Sequence, residues 1–490
     1  MKSKNLQRQV FFFALINYMG TAIGIISALF IYPLDFAFSG TIKYIDNISQ
    51  LLYPIMVLGA SHALIKFYPA LTEEKQKQLF NYSMVSVAMV SGITLVAIAL
   101  FNTATGYKDA ALVYFAFPVA LSLAFIDLFR KQAQDLQRLA VPTVFEKIIP
   151  KITLPALFLL LIGGYFTLST SLWVYAGAYL LILVLTAAYL FTHFKPGFNY
   201  RFKTLFGQIS RRDYYRYSLY AFAGSVGSLL AFRIDGIVIY NWIGEEANGI
   251  FGNGSVLAST LQIPAVGMFA LYAPLISKHL QENTLGPLNM KYKEIARLLF
   301  FIGALMYTCI FIGIEDLFSL LPSAEKLMLT VPVIFILGFS VLINMATGFN
   351  TEIITYSKYY RFNMVAILLL IVVNIGLNAW FVFVAKMGIS GVAWASFISM
   401  LLFNASKLIF IYKKFGLFPF DSAFGKLAVV FALTGVGVYL LPDSGSHLIN
   451  LIYKCGLAVV LNVFVAYRLK LVYQVNVWIN KAVMKVVGQR

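Results

Sequence analysis

Charge is what this chain has least of. Lysine, arginine, aspartate and glutamate make up 12% of its 490 residues, against about 25% in ordinary soluble domains. With 60% apolar residues and a mean hydropathy of +0.81, it carries more apolar surface than a soluble fold of this length can bury. Water is thereby excluded as its main solvent. Cysteine is nearly missing as well. Cys309 and Cys455 each sit in an apolar run, so a disulfide framework is excluded and the pair leaves the compartment undefined. The chain also lacks G-x-x-x-x-G-K-S/T, H-E-x-x-H, paired C-x-x-C and G-x-S-x-G. ATP hydrolysis, metal chemistry and serine hydrolysis therefore have no visible seat, and no cofactor is expected.

What is abundant is apolar sequence in pieces of one length. Windows bounded by charge, glycine or proline give fourteen candidate spans, each on the order of twenty residues, as a bilayer core of roughly 30 Å demands. The first covers 10–32, the second 46–67, the seventh 217–242, the eighth 249–273 and the last 448–467. A basic start precedes the first window without an A-x-A cleavage pattern, so that helix is expected to be retained.

Lysine and arginine collect on the cytoplasmic side of such proteins, while acids scarcely bias orientation. Taking the N-terminal side as inner, only Lys43, Lys108, Lys326, Lys386 and Lys454 fall outside and Arg233 falls within a span. The other 32 of the 38 cations lie on inner loops, tails and helix ends. An error of one helix would scramble that alternation, so both termini are expected to be cytoplasmic. The same sorting accounts for a net charge of +18. Spread through every inner loop, it points to membrane lipids and not to nucleic acid. Its densest cluster, Arg201, Lys203, Arg211, Arg212 and Arg216 among four tyrosines, reads either as an inner anchor or as an attractor of anionic headgroups. The outer loops are all too short to hold a catalytic or receptor domain.

Two stretches resemble one another. One runs from Gly40 past Pro54 to Phe67-Tyr68-Pro69, the other from Gly249 past Pro264 to Leu271-Tyr272-Ala273-Pro274. An offset of six spans preserves topology, which suggests a parallel repeat of two six-helix halves. The expected organisation is an N-terminal six-helix bundle over 1–194, a basic cytoplasmic linker over 195–216, a C-terminal six-helix bundle over 217–412, and two additional helices with a cytoplasmic tail over 413–490. Pro118, Pro142, Pro150, Pro155 and Pro332 predict further bends.

The strongest local pattern is Asn374-Ile-Gly-Leu377-Asn378, then Gly388-Ile-Ser-Gly391-Val-Ala393-Trp-Ala395-Ser396, then Ser399. Physically it is a helical hairpin in which small residues spaced four apart admit a close neighbour and two asparagines share a face. It resembles the N-x-x-L-N and G-x-x-G-A-A-x-A-T hairpin of polysaccharide flippases in the multidrug/oligosaccharidyl-lipid/polysaccharide exporter superfamily, with Trp394 and Ser396 departing from the pattern. Gly59 to Tyr68, including His62 and Lys66, looks like that family's second helix, and Arg233-Ile-Asp235 followed by Gly244 and Gly249 like its seventh. The resemblance implies an all-α polytopic membrane protein of about 14 transmembrane helices, two six-helix bundles around a central cavity plus two C-terminal helices. It implies as substrate an anionic lipid-linked oligosaccharide, a sugar unit on a polyprenyl pyrophosphate, with coupling to H+ or Na+ and a polysaccharide polymerase as candidate partners. It places the chain in the bacterial cytoplasmic (inner) membrane, in surface polysaccharide or O-antigen biosynthesis.

Arg233 is the most conspicuous candidate for substrate binding, because a guanidinium inside a span is costly. Asp235 is about 200° around the helix and cannot be its same-face partner. Arg233 therefore has either a structural ion pair from another helix or an anionic headgroup as its visitor. Asp235 and His62 are the coupling-ion candidates. Lys66, one turn from His62, reads as a snorkelling anchor or a headgroup contact. Asp127 and Arg130 suit a local pair, as do Glu352 and Arg361. Asn374 and Asn378, with Asn17, Gln262, Asn344, Asn350 and Asn404, serve either interhelical hydrogen bonds or a sugar-compatible cavity. The expected function is that of a non-enzymatic flippase working by alternating access. An ion-coupled multidrug exporter and a peptidoglycan-precursor flippase are the alternatives, and a membrane glycosyltransferase or polymerase is disfavoured by the short outer loops.

Overall fold

The computed structural model describes residues 19–136, 138–359 and 361–487, all in helices and their connections with no strand among them. Asn17 and the first part of the 10–32 window lie outside the described residues. In chain order the helices are α1 (Met19–Leu34), α2 (Phe36–Val57), α3 (Ala60–Phe67), α4 (Glu73–Thr105), α5 (Ala110–Asp135), α6 (Ala140–Ile162), α7 (Leu168–His193), α8 (Phe202–Leu205), α9 (Arg211–Trp242) and α10 (Glu245–Ser259). They continue with α11 (Ile263–Gln281), α12 (Leu285–Ser319), α13 (Ala324–Met328), α14 (Val331–Ala346), α15 (Asn350–Tyr356), α16 (Arg361–Ala379), α17 (Gly388–Phe415), α18 (Ser422–Tyr439), α19 (His447–Arg468) and α20 (Tyr473–Val487).

Eight of these helices are each long and apolar enough to cross a membrane. Two pairs, bent by 49° and 52°, raise the number to ten. The other four expected windows land on helices that fall short for visible reasons. α1 is described over only part of its window, and α6 carries Glu146, Lys147 and Lys151 close together. α9 is diluted by serine, glycine, Arg233 and Asp235, and α10 is parted from α11 by a 3-10 turn at Thr260–Gln262. The all-helical membrane fold is as expected, whereas the full count of fourteen is not reached on length and composition.

The chain divides into two compact units, Met1–Gly249 and Ile250–Arg490. In the first, α4 shows how a lipid-facing helix reverses the usual pattern. Met89, Ile93, Val96 and Leu100 are exposed, while Val87, Ser91, Thr94, Ile98 and Asn102 form the buried stripe. Small and polar groups go inward because lipid already solvates the apolar ones, so close packing and hydrogen bonds decide the contact. Behind that stripe Met56, Leu64, Leu79, Phe80, Leu128 and Phe129 make the core of α2 to α5.

α2 begins because Asp35 is extended and its carboxylate accepts the Phe38 N–H at 2.9 Å. It ends one turn after Pro54, where Leu58 and Gly59 both adopt the left-handed conformation and α3 sets off at 49°. Gly59 is required there by space as well as by its φ of 75°, since a Cβ would stand 2.0 Å from the Ser218 carbonyl oxygen of α9. A second close approach joins the two stretches that the sequence marks as alike. A Cβ on Gly40 would meet the Glu245 oxygen at 1.8 Å, and one on Gly249 would meet the Phe36 oxygen at 1.9 Å. The contact is reciprocal, each glycine facing the residue four positions before the other.

In the second unit, Tyr292, Phe349, Ile353 and Ile411 pack one core. Leu298, Phe301, Leu427, Phe431 and Val475 pack another. Cys309 and Cys455 are free thiols, the latter directed at the Cys309 carbonyl at 3.6 Å.

Candidate functional site

The early start of α2 changes the place of its charges. Lys43 and Asp46, expected at or beyond the outer end of a span, are carried into the helix, Asp46 ten residues past its first residue. Arg233, on α9, turns its guanidinium to this segment. Its Nη1 donates to Asp46 Oδ2 at 2.9 Å and to Asn47 Oδ1 at 3.2 Å. The partner is therefore an acid from another helix, as one of the two readings required, and not Asp235. The pair is not sealed: the side chains are 35% and 23% exposed. Lys43, one turn before Asp46, has an enclosed Nζ with no hydrogen-bond partner among the described residues. Two cations thus share one carboxylate, and Tyr175 and Tyr179 of α7 lie close enough to feel both Asp46 and Arg233. By formal charge the cluster is one positive in excess, and it lies about midway along α2 and nine residues before the end of α9.

Nearer the other end of the first unit, His62 and Lys66 share a face as their spacing dictates. Both meet α9. His62 Nε2 is 3.3 Å from Ser225 Oγ, and Lys66 Nζ sits 3.9 Å from the centre of the Tyr217 ring. That cation–π contact on an exposed lysine suits an anchor. Arg130 does not pair locally with Asp127 but bonds Glu146 of α6. The segment that precedes α9 is tied to α4 by Asn81, whose amide donates to the carbonyls of Gly197 at 2.9 Å and Asn199 at 3.2 Å.

The second unit gathers most of the flagged asparagines into two groups. Asn378 donates to Asn374 at 2.9 Å within α16, and Asn374 to Ser396 of α17 at 3.4 Å, so the stacked pair, buried at 0% and 4% exposure, stitches the hairpin through Asn374. Around the bend between α14 and α15, Asn350 donates to Asn404 at 3.0 Å and to Thr347 at 3.0 Å, and Asn404 donates to Asn344 at 3.2 Å. Lys407, buried on α17, donates to Thr351 at 2.8 Å and lies 3.7 Å from the centre of the Phe403 ring. Sequence reading assigned Lys407 to the inner basic set and overlooked this cluster. The signal available was Asn404 and Lys407 at i and i+3 on one helix, facing the break after Ala346. No group of His, Cys, Asp and Glu among the described residues could hold a metal ion.

A profile of the polysaccharide biosynthesis protein family matches residues 15–280. Among solved structures, the chain is similar to a lipid II flippase MurJ in an inward closed conformation, with a TM-score of 0.73, 13% identity, and coverage of 93% of this chain and 99% of that one. It is also similar to an inward-facing multidrug resistance MATE family transporter of the MOP superfamily, at a TM-score of 0.60, 17% identity, and coverage of 84% and 99%. A MATE structure in complex with MaL6 follows at 0.54, 16%, and 85% and 97%. No curated protein sequence matches the chain.

Proposed function

Because the chain belongs to the polysaccharide biosynthesis protein family and shares the fold of flippases and multidrug transporters, we propose that it flips a polyprenyl-pyrophosphate-linked oligosaccharide between leaflets by alternating access. In this reading the bundles over 1–194 and 217–412 are the moving parts, joined by 195–216 and extended by 413–490. The chain moves its substrate without catalysing a covalent step, in the bacterial inner membrane, for surface polysaccharide such as O-antigen.

The observation that supports the reading most is the charge balance of the Lys43, Asp46 and Arg233 cluster. Moving an anion along a membrane protein requires a cationic group that is accessible yet not irreversibly spent. Arg233 is partly open, held by one carboxylate that an incoming pyrophosphate or acidic sugar displaces, while Lys43, enclosed beside the pair, adds to the positive field. Lys66, Asn374 and Asn378 are further headgroup candidates, and Asp235 and His62 are the carriers to test for H+ or Na+ coupling. A multidrug exporter, favoured by the MATE likeness, would recognise organic cations, which this excess of positive charge repels. A peptidoglycan-precursor flippase is favoured by the likeness to MurJ and differs in the sugar.

The test is translocation of a fluorescent lipid-linked oligosaccharide in proteoliposomes, read by dithionite quenching of the outer leaflet. Wild type should expose the probe and Arg233→Ala should slow it severalfold at equal protein levels. Equal rates in protein-containing and empty vesicles would remove the flippase reading, and unchanged flux in Arg233→Ala would remove Arg233 from it.

A further inference from the structure

The last helix has no counterpart in the spans that the sequence suggests. After α19 ends at Arg468, Lys470 takes a left-handed turn with φ 51°, the Leu471 N–H bonds the Ala466 carbonyl at 3.0 Å, and α20 follows. Its fifteen residues reach about 22 Å, short of the roughly 20 residues that a span needs, and include Lys481 and Lys485.

One face of α20 is fixed to the protein. Leu471, Val472 and Val475 are buried beside Leu298, Leu427 and Ala466. Gln474 donates to Glu294 at 2.6 Å, Asn476 to the Tyr467 carbonyl at 2.8 Å, and the Tyr467 hydroxyl to Asn480 at 2.9 Å. The opposite face is uncovered, with Tyr473 66%, Trp478 54% and Met484 65% exposed. At about 100° per residue, Tyr473, Met484 and Lys481 fall within roughly 80° of arc and Trp478 about 60° beyond. From Arg468 to Arg490 there are five cations and no acid.

An aromatic and thioether face beside the exposed Lys481, on a helix too short to span, has the character of a helix lying in a membrane interface. We propose that α20 is an interfacial anchor. It beds Tyr473, Trp478 and Met484 at the headgroup–acyl boundary of the leaflet in which α19 ends, and its cations bind anionic phospholipid headgroups. The anchor would hold the end of α19 and the neighbouring start of α12 at a fixed depth, whatever substrate is carried.

The test uses the full chain with Cys309 and Cys455 replaced by alanine and a spin label at Met484→Cys, or at Glu282→Cys as a reference in a polar loop. The protein is reconstituted in phosphatidylcholine vesicles with or without phosphatidylglycerol. The ratio of oxygen to nickel-complex accessibility at position 484 should exceed the reference severalfold with phosphatidylglycerol present, and fall towards the reference in Lys481→Glu/Lys485→Glu. A ratio indifferent to both phosphatidylglycerol and the charge reversal would overturn the proposal. Spin–spin coupling between labelled copies would overturn it too, by making a second chain the occupant.

Discussion

Replacing Asp46 by asparagine removes the carboxylate bonded to Arg233 while keeping shape and hydrogen-bonding capacity. Its effect can be bracketed from the geometry. At an effective dielectric constant of about 20, unit charges about 4 Å apart attract by about 4 kcal/mol, and breaking a sealed pair costs about 3–5 kcal/mol. The side chains here are 35% and 23% exposed, so water recovers much of that, and a loss of about 2 kcal/mol is expected, between the buried figure and the roughly 0.5 kcal/mol of an exposed pair. Lys43 supplies the control. In wild type the cluster holds Lys43, Arg233 and Asp46, so Asp46→Asn leaves two uncompensated cations, whereas in a Lys43→Met background it leaves one. The asparagine should therefore cost about 1 kcal/mol less in the second background, a coupling that a double-mutant cycle resolves. The assay is reversible unfolding of purified protein in mixed micelles. If Asp46→Asn costs the same, within about 0.3 kcal/mol, with and without Lys43, the three residues do not form an electrostatic unit and the argument for an exchangeable headgroup site fails with it.

Four more substitutions test packing and backbone. Gly40→Ala places a Cβ 1.8 Å from the Glu245 carbonyl oxygen and should destabilise by about 1–3 kcal/mol. Gly92→Ala, on a helix face with nothing within 4 Å, should stabilise by about 0.5–1 kcal/mol; thermal melts of the two must move in opposite directions. Asn404→Ala removes the acceptor for Asn350, which keeps its bond to Thr347, and the donor to Asn344 and should cost about 1–3 kcal/mol, with a null effect on the melt ruling out a connected network. Lys386, exposed with φ 53°, should gain about 0.5–1 kcal/mol on replacement by asparagine, which tolerates that conformation, and an unchanged or lower melting temperature would contradict this.

Much of the fold was legible because membrane helices leave a strong one-dimensional trace, and the Asn374 to Ser399 hairpin is a local motif whose partners lie within one turn of chain. The candidate site was harder, because Arg233 and Asp46 are 187 residues apart and no periodicity links them. A window method also stops a span at a charge, which is why the sequence leaves Lys43 outside and opens the second span at Asp46, although Asp35, a good cap, stands eleven residues before Asp46. The likeness of the Gly40 and Gly249 stretches was visible, but similarity of sequence does not say that two segments touch. Here they do, through an approach that only glycine permits on both sides.

Depth is the argument that would have joined the pair. Once α2 is started at Phe36, Asp46 lies ten residues from that end, about 15 Å along the axis, and Arg233 lies nine residues before Trp242, about 13 Å from the end of α9. Asp127, eight residues before the end of α5, points to the opposite boundary, where His62 feels its charge. Asp235 shares the helix of Arg233 but not its face. A charge inside a span has to be met at its own depth, so among these three acids Asp46 alone satisfies the requirement. The same rule directs attention to Lys43, which sits at nearly that depth and has no acid left to take.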